Sequence, residues 1–280
     1  LNRFCTYCEG RCTVIVDLHM HTTCSDGVYT PEQLTQMAVD AGLDVIAISD
    51  HDTVAAYDGS HKFAAGVRII PAIEISSECD GEDVHILGYG IDTTDEAMLS
   101  YCREFKQRRF DRAMQIVDRC LENGYEIDRK VVEDMVHKGG TVGRPHIARM
   151  LVEKGYFPDV KTVFDKVLYH GGPLYVPYTR RTIDECVALI RKVGGIAVLA
   201  HPGLLKRTLD EVLTHDFDGV EVYHPKNRGR FEEFLKLAQD RHWYISGGSD
   251  FHGTIGRFPE KLGIFTVDSE KVQALLSHAT

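Results

Sequence analysis

The chain has 280 residues, 43% of them hydrophobic, and a formal net charge of −10 with histidine neutral. This composition is sufficient for a hydrophobic core and argues against a disordered chain, and the length suits a single α/β barrel that carries an insertion. The acidic balance argues against an extended duplex nucleic-acid partner, which needs clustered Lys and Arg, but it permits a small anionic substrate beside bound cations. No apolar run approaches the ~20 residues of a membrane span, so we predict no membrane partner.

The eight cysteines lack the spacing of a disulfide framework, so we predict a reducing, cytoplasmic location without a signal peptide. The one cysteine cluster in the sequence is Cys5-x2-Cys8-x3-Cys12. It has two interpretations: half of a zinc or iron–sulfur site, or a variable tail over residues 1–12. We prefer the tail, because no second cysteine pair at matching spacing follows.

The first predicted strand, residues 13–18, is a β-branched run that leads directly into His19 and His21. In an extended chain, residues two apart point to the same side, so these imidazoles converge on one point. The polar turn over residues 22–27 then brings Asp26 back towards the end of that strand.

A helix begins after Thr30 with capping-box chemistry and ends at Gly42. The strand that follows, residues 45–49, leads into His51. This strand–helix–strand unit predicts two parallel strands. A short helix is predicted next, around residues 57–65.

A third predicted strand, residues 67–76, carries Glu74. Residues 80–83 have the chemistry of a hairpin turn and lead to a fourth strand, residues 84–89, with His85 at its start. This fourth strand is expected to run antiparallel or to distort the sheet locally.

The alternation of strands and helices stops at residue 95. The helical patterns that follow cover residues 96–123, 130–137, 145–153 and 160–169, and no strand pattern separates them. We interpret residues 95–180 as an all-helical insertion between two barrel segments, residues 13–94 and 181–280.

Alternation resumes after the insertion, and each later strand is followed by a residue type that binds metal. The strands are residues 196–200, 219–223 and 243–246, and the residues after them are His201, His224, and Asp250 with His252. In parallel α/β barrels the carboxyl ends of the strands form the active site. We therefore expect the residues at the other strand ends, namely His19, His21, His51 and Glu74, to lie at the same face.

This set of imidazoles and carboxylates suits Zn, Mn or Fe rather than calcium. It exceeds the needs of one tetrahedral ion, so we predict two or three divalent cations. Clustered cations lower the pKa of bound water and neutralise charge on a phosphoryl group. The sequence contains no Gly-x-Ser-x-Gly elbow, Walker loop or dinucleotide fingerprint that would favour another chemistry.

Two motifs, DLHMHTT-x-SDG at residues 17–27 and SDHDT at residues 49–53, resemble the opening of the polymerase and histidinol phosphatase (PHP) family. Further matches follow in the same order: Ile73-Glu74, His85, Ala200-His201-Pro202 and Ser249-Asp250-Phe251-His252. The stretch GRPHIA at residues 143–148 resembles the TrpH/YciV-type branch. The resemblance implies a metal-dependent phosphoesterase on a distorted (β/α)7, TIM-like barrel of the α/β class.

The resemblance also implies three metal sites. Carried over residue by residue, His19, His21, Glu74 and Asp250 hold the first ion, Glu74, His85 and His201 the second, and Asp26, His51 and His252 the third. Glu74 bridges the first two ions, and a hydroxide between them is the implied nucleophile.

We predict His224 and Asp250 as catalytic residues, with His224 either protonating the leaving oxygen or holding phosphate. Arg144 is predicted to bind a substrate phosphate through its forked guanidinium. The predicted substrate is a small nucleotide or sugar phosphate, with nucleotide bisphosphates and cyclic phosphates as candidates. The alternatives are a 5′–3′ exonuclease on short RNA, a C–N hydrolase of the amidohydrolase type, and a binding module without activity. The oligomeric state is left open.

Overall fold

The computed structural model describes residues 14–137, 143–178 and 180–279, and the predicted cysteine cluster near the amino terminus lies outside them. Within these residues eight strands form one sheet, in the order β7-β6-β5-β4-β3-β2-β1-β8. The strands are β1 Ile15–Met20, β2 Val45–Ile48, β3 Arg68–Cys79, β4 Glu82–Tyr89, β5 Ile196–Leu199, β6 Gly219–Tyr223, β7 Tyr244–Gly247 and β8 Val267–Asp268. A parallel bridge between Met20 and Phe251 returns the chain after β7 to β1, so the sheet nearly closes into a barrel.

β4 is the strand that departs from the parallel arrangement. β1, β2 and β3 are parallel, as are β5, β6 and β7, whereas β4 is antiparallel to both β3 and β5. The hairpin turn between β3 and β4 places Asp80 and Gly81 at φ +44° and +72°, as the favoured two-residue hairpin turns require. Of the two outcomes expected for the fourth strand, the antiparallel one is found. β8, which pairs antiparallel with β1, was not predicted, because two residues are too short to show a period.

The described residues form the following α-helices: α1 Pro31–Asp40, α2 Glu96–Glu122, α3 Arg129–His137, α4 Arg144–Glu153, α5 Val160–Val163, α6 Ile183–Lys192, α7 Leu209–Val212, α8 Phe231–Arg241 and α9 Gln273–His278. The capping box predicted at Thr30 is confirmed, with its hydroxyl accepting from the backbone N–H of Gln33. The helix expected over residues 57–65 is wrong. Only a 3-10 turn, Ala55–Tyr57, forms there, and the Asp58 carboxylate then accepts hydrogen bonds from Ser60 and closes a turn.

The sheet is buried on both faces. In β2, Val45 and Ala47 pack into one apolar cluster with residues of β1, β3, β4 and β5, whereas Ile46 and Ile48 pack with α1 in another. Strands buried on both faces are apolar nearly throughout, as these are. Charged side chains within such a sheet therefore need a specific partner.

The structure divides into two compact units. One comprises the chain up to Met98 and from Arg181 onwards, and contains the sheet. The other, Leu99–Arg180, is helical and has its own buried apolar cluster, which includes Val117, Ile147 and Leu151. No helix among the described residues combines the length and apolar composition needed to cross a membrane.

Candidate active site

β1 changes register between Asp17 and Met20, just where the two histidines begin. There the backbone N–H of His19 donates to Asp17 Oδ1 at 3.3 Å. Such bulges re-aim side chains beside active sites. The rings of His19 and His21 are buried with centroids 5.2 Å apart, so the structure brings this pair together as strand geometry predicts.

The carboxylate of Glu74 is the centre of the site, because five imidazoles surround it. Glu74 Oε2 lies 3.3 Å from His19 Nε2, 3.2 Å from His21 Nε2 and 3.1 Å from His51 Nδ1, and Oε1 lies 2.9 Å from both His85 Nδ1 and His201 Nε2. The expectation that Glu74 ends its strand is wrong. β3 continues to Cys79 because its outer half pairs with β4, so Glu74 lies in mid-strand beside the chain that follows β2.

His85 was expected to begin its strand, and this expectation is also wrong. β4 begins at Glu82, and His85 pairs across the hairpin with Ser76. The residue reaches Glu74 because the antiparallel hairpin sets this register.

Asp26, His51 and His252 form a second group with His21. Asp26 Oδ1 lies 3.1 Å from His252 Nε2, and the rings of His21 and His252 stack at 4.0 Å. The donor atoms of all four residues lie within 4.8 Å of one another. The third predicted ligand set is thus assembled in space, and His21 joins it to the first.

Asp250 presents its two oxygens to different partners. Oδ1 lies 3.3 Å from His21 Nε2 and 3.7 Å from His19 Nε2. Oδ2 lies 3.6 Å from His224 Nε2 and accepts a hydrogen bond of 2.8 Å from Arg257 Nη2. Asp250 has φ +56°, and its backbone N–H donates to the carbonyl of His19, which fixes the carboxylate against β1.

Several buried polar atoms of this cluster have no hydrogen-bond partner although they lie close together. They are His19 Nε2, His21 Nδ1 and Nε2, His51 Nδ1, Glu74 Oε2, His224 Nε2 and His252 Nε2. Leaving such atoms unsatisfied costs free energy, and nitrogen with carboxylate oxygen is the donor set of Zn, Mn and Fe. The nine predicted ligand residues lie together, and they fit divalent cations; the assignment of each as a ligand stays a prediction.

The carboxylates determine the charge of the cation-free site. Burial lowers the pKa of His21, but the adjacent Asp250 and Glu74 more than offset this and raise it to about 9. Burial would raise the pKa of Glu74, but His51, His19 and His85 hold it well below its usual range. Burial lowers the pKa of His51 to about 3. Divalent cations must therefore displace a proton from His21 while Glu74 is already ionised.

Glu221, in the middle of β6, is a functional residue that sequence reasoning missed. Its Oε1 accepts from His19 Nδ1 at 2.9 Å, and its Oε2 accepts from the backbone N–H of His201 at 2.7 Å. Carboxylates behind ligating histidines fix the tautomer and the ring orientation. A lone carboxylate within the apolar run GVEVY at residues 219–223 was the available signal.

Asp50 supports the turn that carries Asp26. Its carboxylate accepts from the backbone N–H and hydroxyl of Thr22 at 2.7 Å and 2.6 Å, and from the Ser25 hydroxyl at 2.5 Å. These bonds hold the turn beside His252.

His224 is fully buried and has a defined tautomer. The backbone N–H of Lys226 donates to its Nδ1 at 3.1 Å, so the proton of the neutral ring lies on Nε2. Nε2 faces Asp250 Oδ2, so His224 presents an N–H towards the cluster.

Arg257 also contacts the cluster and was not predicted. It donates to Asp250 while its side chain remains 41% exposed, and an arginine in a loop has no local sequence signal. Arg144, by contrast, lies in the helical unit. It begins α4, and its guanidinium lies 5.6 Å from the ring centre of Phe164 and 6.0 Å from that of Tyr175.

The PHP domain profile matches residues 17–196. The chain belongs to the PHP domain family. The chain is 37% identical over 251 residues to the 5′-3′ exoribonuclease Rnm of Escherichia coli, covering 85% of each protein. It is 32% identical over 247 residues to the 3′,5′-nucleoside bisphosphate phosphatase of Chromobacterium violaceum, covering 85% of this chain and 87% of that one. The solved structure of a metal-dependent phosphoesterase of Bifidobacterium adolescentis superposes with a TM-score of 0.77 at 30% identity, covering 95% of this chain and 96% of that one.

This PHP protein is a metal-dependent phosphoesterase, a hydrolase that acts on phosphoric ester bonds. The predicted α/β, TIM-like barrel is confirmed. The predicted metal dependence is confirmed at the level of the family, whereas the number and the identity of the ions stay predictions.

Proposed function

We propose that this PHP phosphoesterase hydrolyses phosphate esters of nucleotides with two or three divalent cations at the Glu74 cluster. The observation that carries the proposal is the convergence of five imidazoles on one buried carboxylate, with unsatisfied donor atoms facing one another. The nucleotide class comes from the relatives, since both the nuclease and the bisphosphatase named above act on nucleotide phosphates.

Three overlapping groups would hold the cations. They are His19, His21, Glu74 and Asp250; then Glu74, His85 and His201; then Asp26, His51 and His252. Divalent cations bound there supply positive charge, which lowers the pKa of water and offsets charge on a phosphoryl group.

The side chains around the cluster orient the ligands and offer an N–H donor. His224 carries an N–H on Nε2, beside Asp250, and is placed to donate a hydrogen bond to a phosphate oxygen of the ester. Glu221 holds the ring of His19 so that Nε2 faces Glu74. Arg257 keeps Asp250 Oδ2 engaged, which leaves Oδ1 directed at His19 and His21.

Two substrate classes remain candidates. The first is a small nucleotide bisphosphate or cyclic phosphate. The second is the 5′ end of short RNA, favoured by the exoribonuclease relative at 37% identity. In both, we assign Arg144 of the helical unit a contact with a substrate phosphate, because its guanidinium has no carboxylate partner in the described part of the chain.

A phosphate-release screen tests the proposal. The protein is supplied with Mn or Zn and offered nucleotide mono-, bis- and cyclic phosphates and 5′-phosphorylated RNA pentamers, with an Asp250→Asn variant run in parallel. We expect metal-dependent release from at least one nucleotide ester and its loss in the variant. A metal-loaded wild type that hydrolyses none of them would contradict the proposal.

A further inference from the structure

The loop after β5 holds His201 in a backbone conformation that its residue type disfavours. His201 has φ +28° and ψ +56°, in the left-handed region, where a residue other than glycine is strained. Such a conformation persists only where the surrounding structure holds it in place. The ring of His201 lies with its Nε2 2.9 Å from Glu74 Oε1, so the strained residue is one of the predicted ligands. The contacts that hold this loop therefore bear directly on the metal cluster.

Two hydrogen bonds fix the backbone on either side of His201. The first is the bond from the N–H of His201 to Glu221, described above. The second comes from Asn227, which ends the 3-10 turn Pro225–Asn227 after β6: its Oδ1 accepts from the backbone N–H of Gly203 at 2.8 Å. Gly203 lies two residues after His201, so this second bond determines how the chain leaves the strained residue.

The amide of Asn227 is completely buried, and its polar atoms all have partners. Its Nδ2 donates to the carbonyls of Glu221 at 2.7 Å and Val222 at 3.2 Å. Carbonyls only accept and the N–H of Gly203 only donates, so the amide has one possible orientation. Nδ2 thus anchors the side chain to β6, and Oδ1 ties the loop of His201 to that strand.

The loops after β5 and β6 approach each other closely at this contact. A Cβ at Gly203 would lie 2.6 Å from Asn227 Oδ1 and 2.7 Å from the carbonyl oxygen of Lys226, so only glycine fits there. The backbone N–H of Asn227 also donates to the carbonyl of His224 at 2.9 Å. Asn227 therefore joins the loop that carries His201 to the loop that carries His224.

We infer that Asn227 is a positioning residue that holds His201 against Glu74 and so sets the affinity of the cation group formed by Glu74, His85 and His201. The inference rests on the proposed function, which assigns these three residues as ligands. Among the described residues, the side-chain hydrogen bonds of Asn227 go to Gly203 and to β6, and none goes to a member of the other two cation groups. Loss of Asn227 should therefore weaken one cation and spare the others.

The test is cation binding without turnover. Full-length wild type and Asn227→Leu are stripped with EDTA and titrated with Mn by calorimetry, and the bound Mn is counted by mass spectrometry after desalting. Leu has a similar size but offers no acceptor to the N–H of Gly203. We expect one class of Mn sites to weaken by at least about tenfold, as when a residue that orients a ligand is lost, and the remaining Mn to bind as in wild type. A merely structural role would lower the melting temperature without selective loss of one cation.

Two further variants complete the experiment. Gly203→Ala breaks the same contact from the other side, because the added Cβ meets Asn227 Oδ1, and it should weaken the same cation even where Asn227→Leu does not fold. Asn123→Leu is the matched control. Asn123 is exposed at the end of α2, and its Nδ2 also donates to a backbone carbonyl, that of Arg119 at 2.8 Å. Its Mn affinity should stay within about twofold of wild type, because no ligand depends on that bond. Thermal melting of every variant verifies folding.

Three outcomes overturn the inference: the folded variants at Asn227 and Gly203 bind Mn as wild type does, all classes of Mn site weaken equally, or Asn123→Leu loses as much affinity as Asn227→Leu. Failure of the proposed function is recognised separately. A wild type that binds no Mn would refute the proposed cation groups together with this inference. Mn binding that depends on Asn227, without phosphate release from any nucleotide ester, would refute the proposed function alone.

Discussion

Glu74→Gln tests the organisation of the metal cluster most directly. The change keeps the size of the side chain but replaces a buried anion with a neutral amide. One of the two amide atoms then presents N–H groups to nitrogen atoms that lie only 2.9–3.3 Å from the carboxylate oxygens. Because Glu74 belongs to two of the proposed ligand sets, a single substitution affects both.

The magnitude follows from these contacts. Changes to groups that merely orient ligands lower metal affinity by about 10- to 100-fold, so loss of a ligand shared by two ions should lower it by at least about 100-fold. The charge stabilisation from a bound cation amounts to several kcal/mol, and about 1.36 kcal/mol is a factor of ten. We therefore expect kcat for phosphate release to fall on the order of 1000-fold.

Metal content is measured by mass spectrometry after desalting from Mn, and turnover by phosphate release. Glu78→Gln is the control, since Glu78 lies four positions along the same strand and is exposed. Thermal melting and circular dichroism verify that both variants fold. A Glu74→Gln protein that retained wild-type metal content and turnover would refute the assignment of Glu74 as the shared ligand.

Three further predictions concern the surroundings of the cluster. His224→Ala should lower kcat/KM about tenfold for a nucleotide ester and for p-nitrophenyl phosphate alike, since it removes one N–H donor to the phosphate; a loss confined to the nucleotide ester would contradict a role in holding phosphate. Arg257→Gln should lower kcat/KM about tenfold and leave Mn content near wild type, since it frees only Asp250 Oδ2; loss of Mn instead would show that Arg257 secures the ligand. The pKa of His21 in the folded, cation-free protein is raised to about 9, so protonated His21 stabilises that protein fully below pH 6.5. This stabilisation is lost as pH rises through 9, and Mn affinity increases over the same range. Melting and chelator competition between pH 6 and pH 9.5 check both trends.

Local rules were sufficient for the features that depend on residues close in sequence. The convergence of His19 and His21 follows from the two-residue period of a strand, and the start of α1 from the capping box at Thr30. The antiparallel β4 was anticipated as one of two outcomes from the turn residues before it. In each case the decisive interaction spans fewer than about five residues, which a single sequence displays.

These local rules could not predict the register between neighbouring strands. Glu74 and His85 were expected at strand boundaries, yet both lie inside longer strands because the β3–β4 hairpin extends past the end of β2. Pairing between distant strands determines where a strand ends, and a hydrophobic pattern does not report it. The family motif placed both residues in the site, whereas propensity alone placed neither correctly.

Glu74 and Glu221 show why residue type alone does not assign a role. Glu221 lies near His19 and His224, and the three together have donor atoms close enough for an ion. However, both oxygens of Glu221 already accept from N–H groups, those of the His19 ring and the His201 backbone, and Nδ1 of His224 accepts from the backbone as well. Glu74 differs, because its Oε2 faces three imidazole nitrogens without any hydrogen bond. A carboxylate with both oxygens satisfied by N–H donors orients its neighbours, and one with a free oxygen that faces several imidazole nitrogens is placed to share a cation.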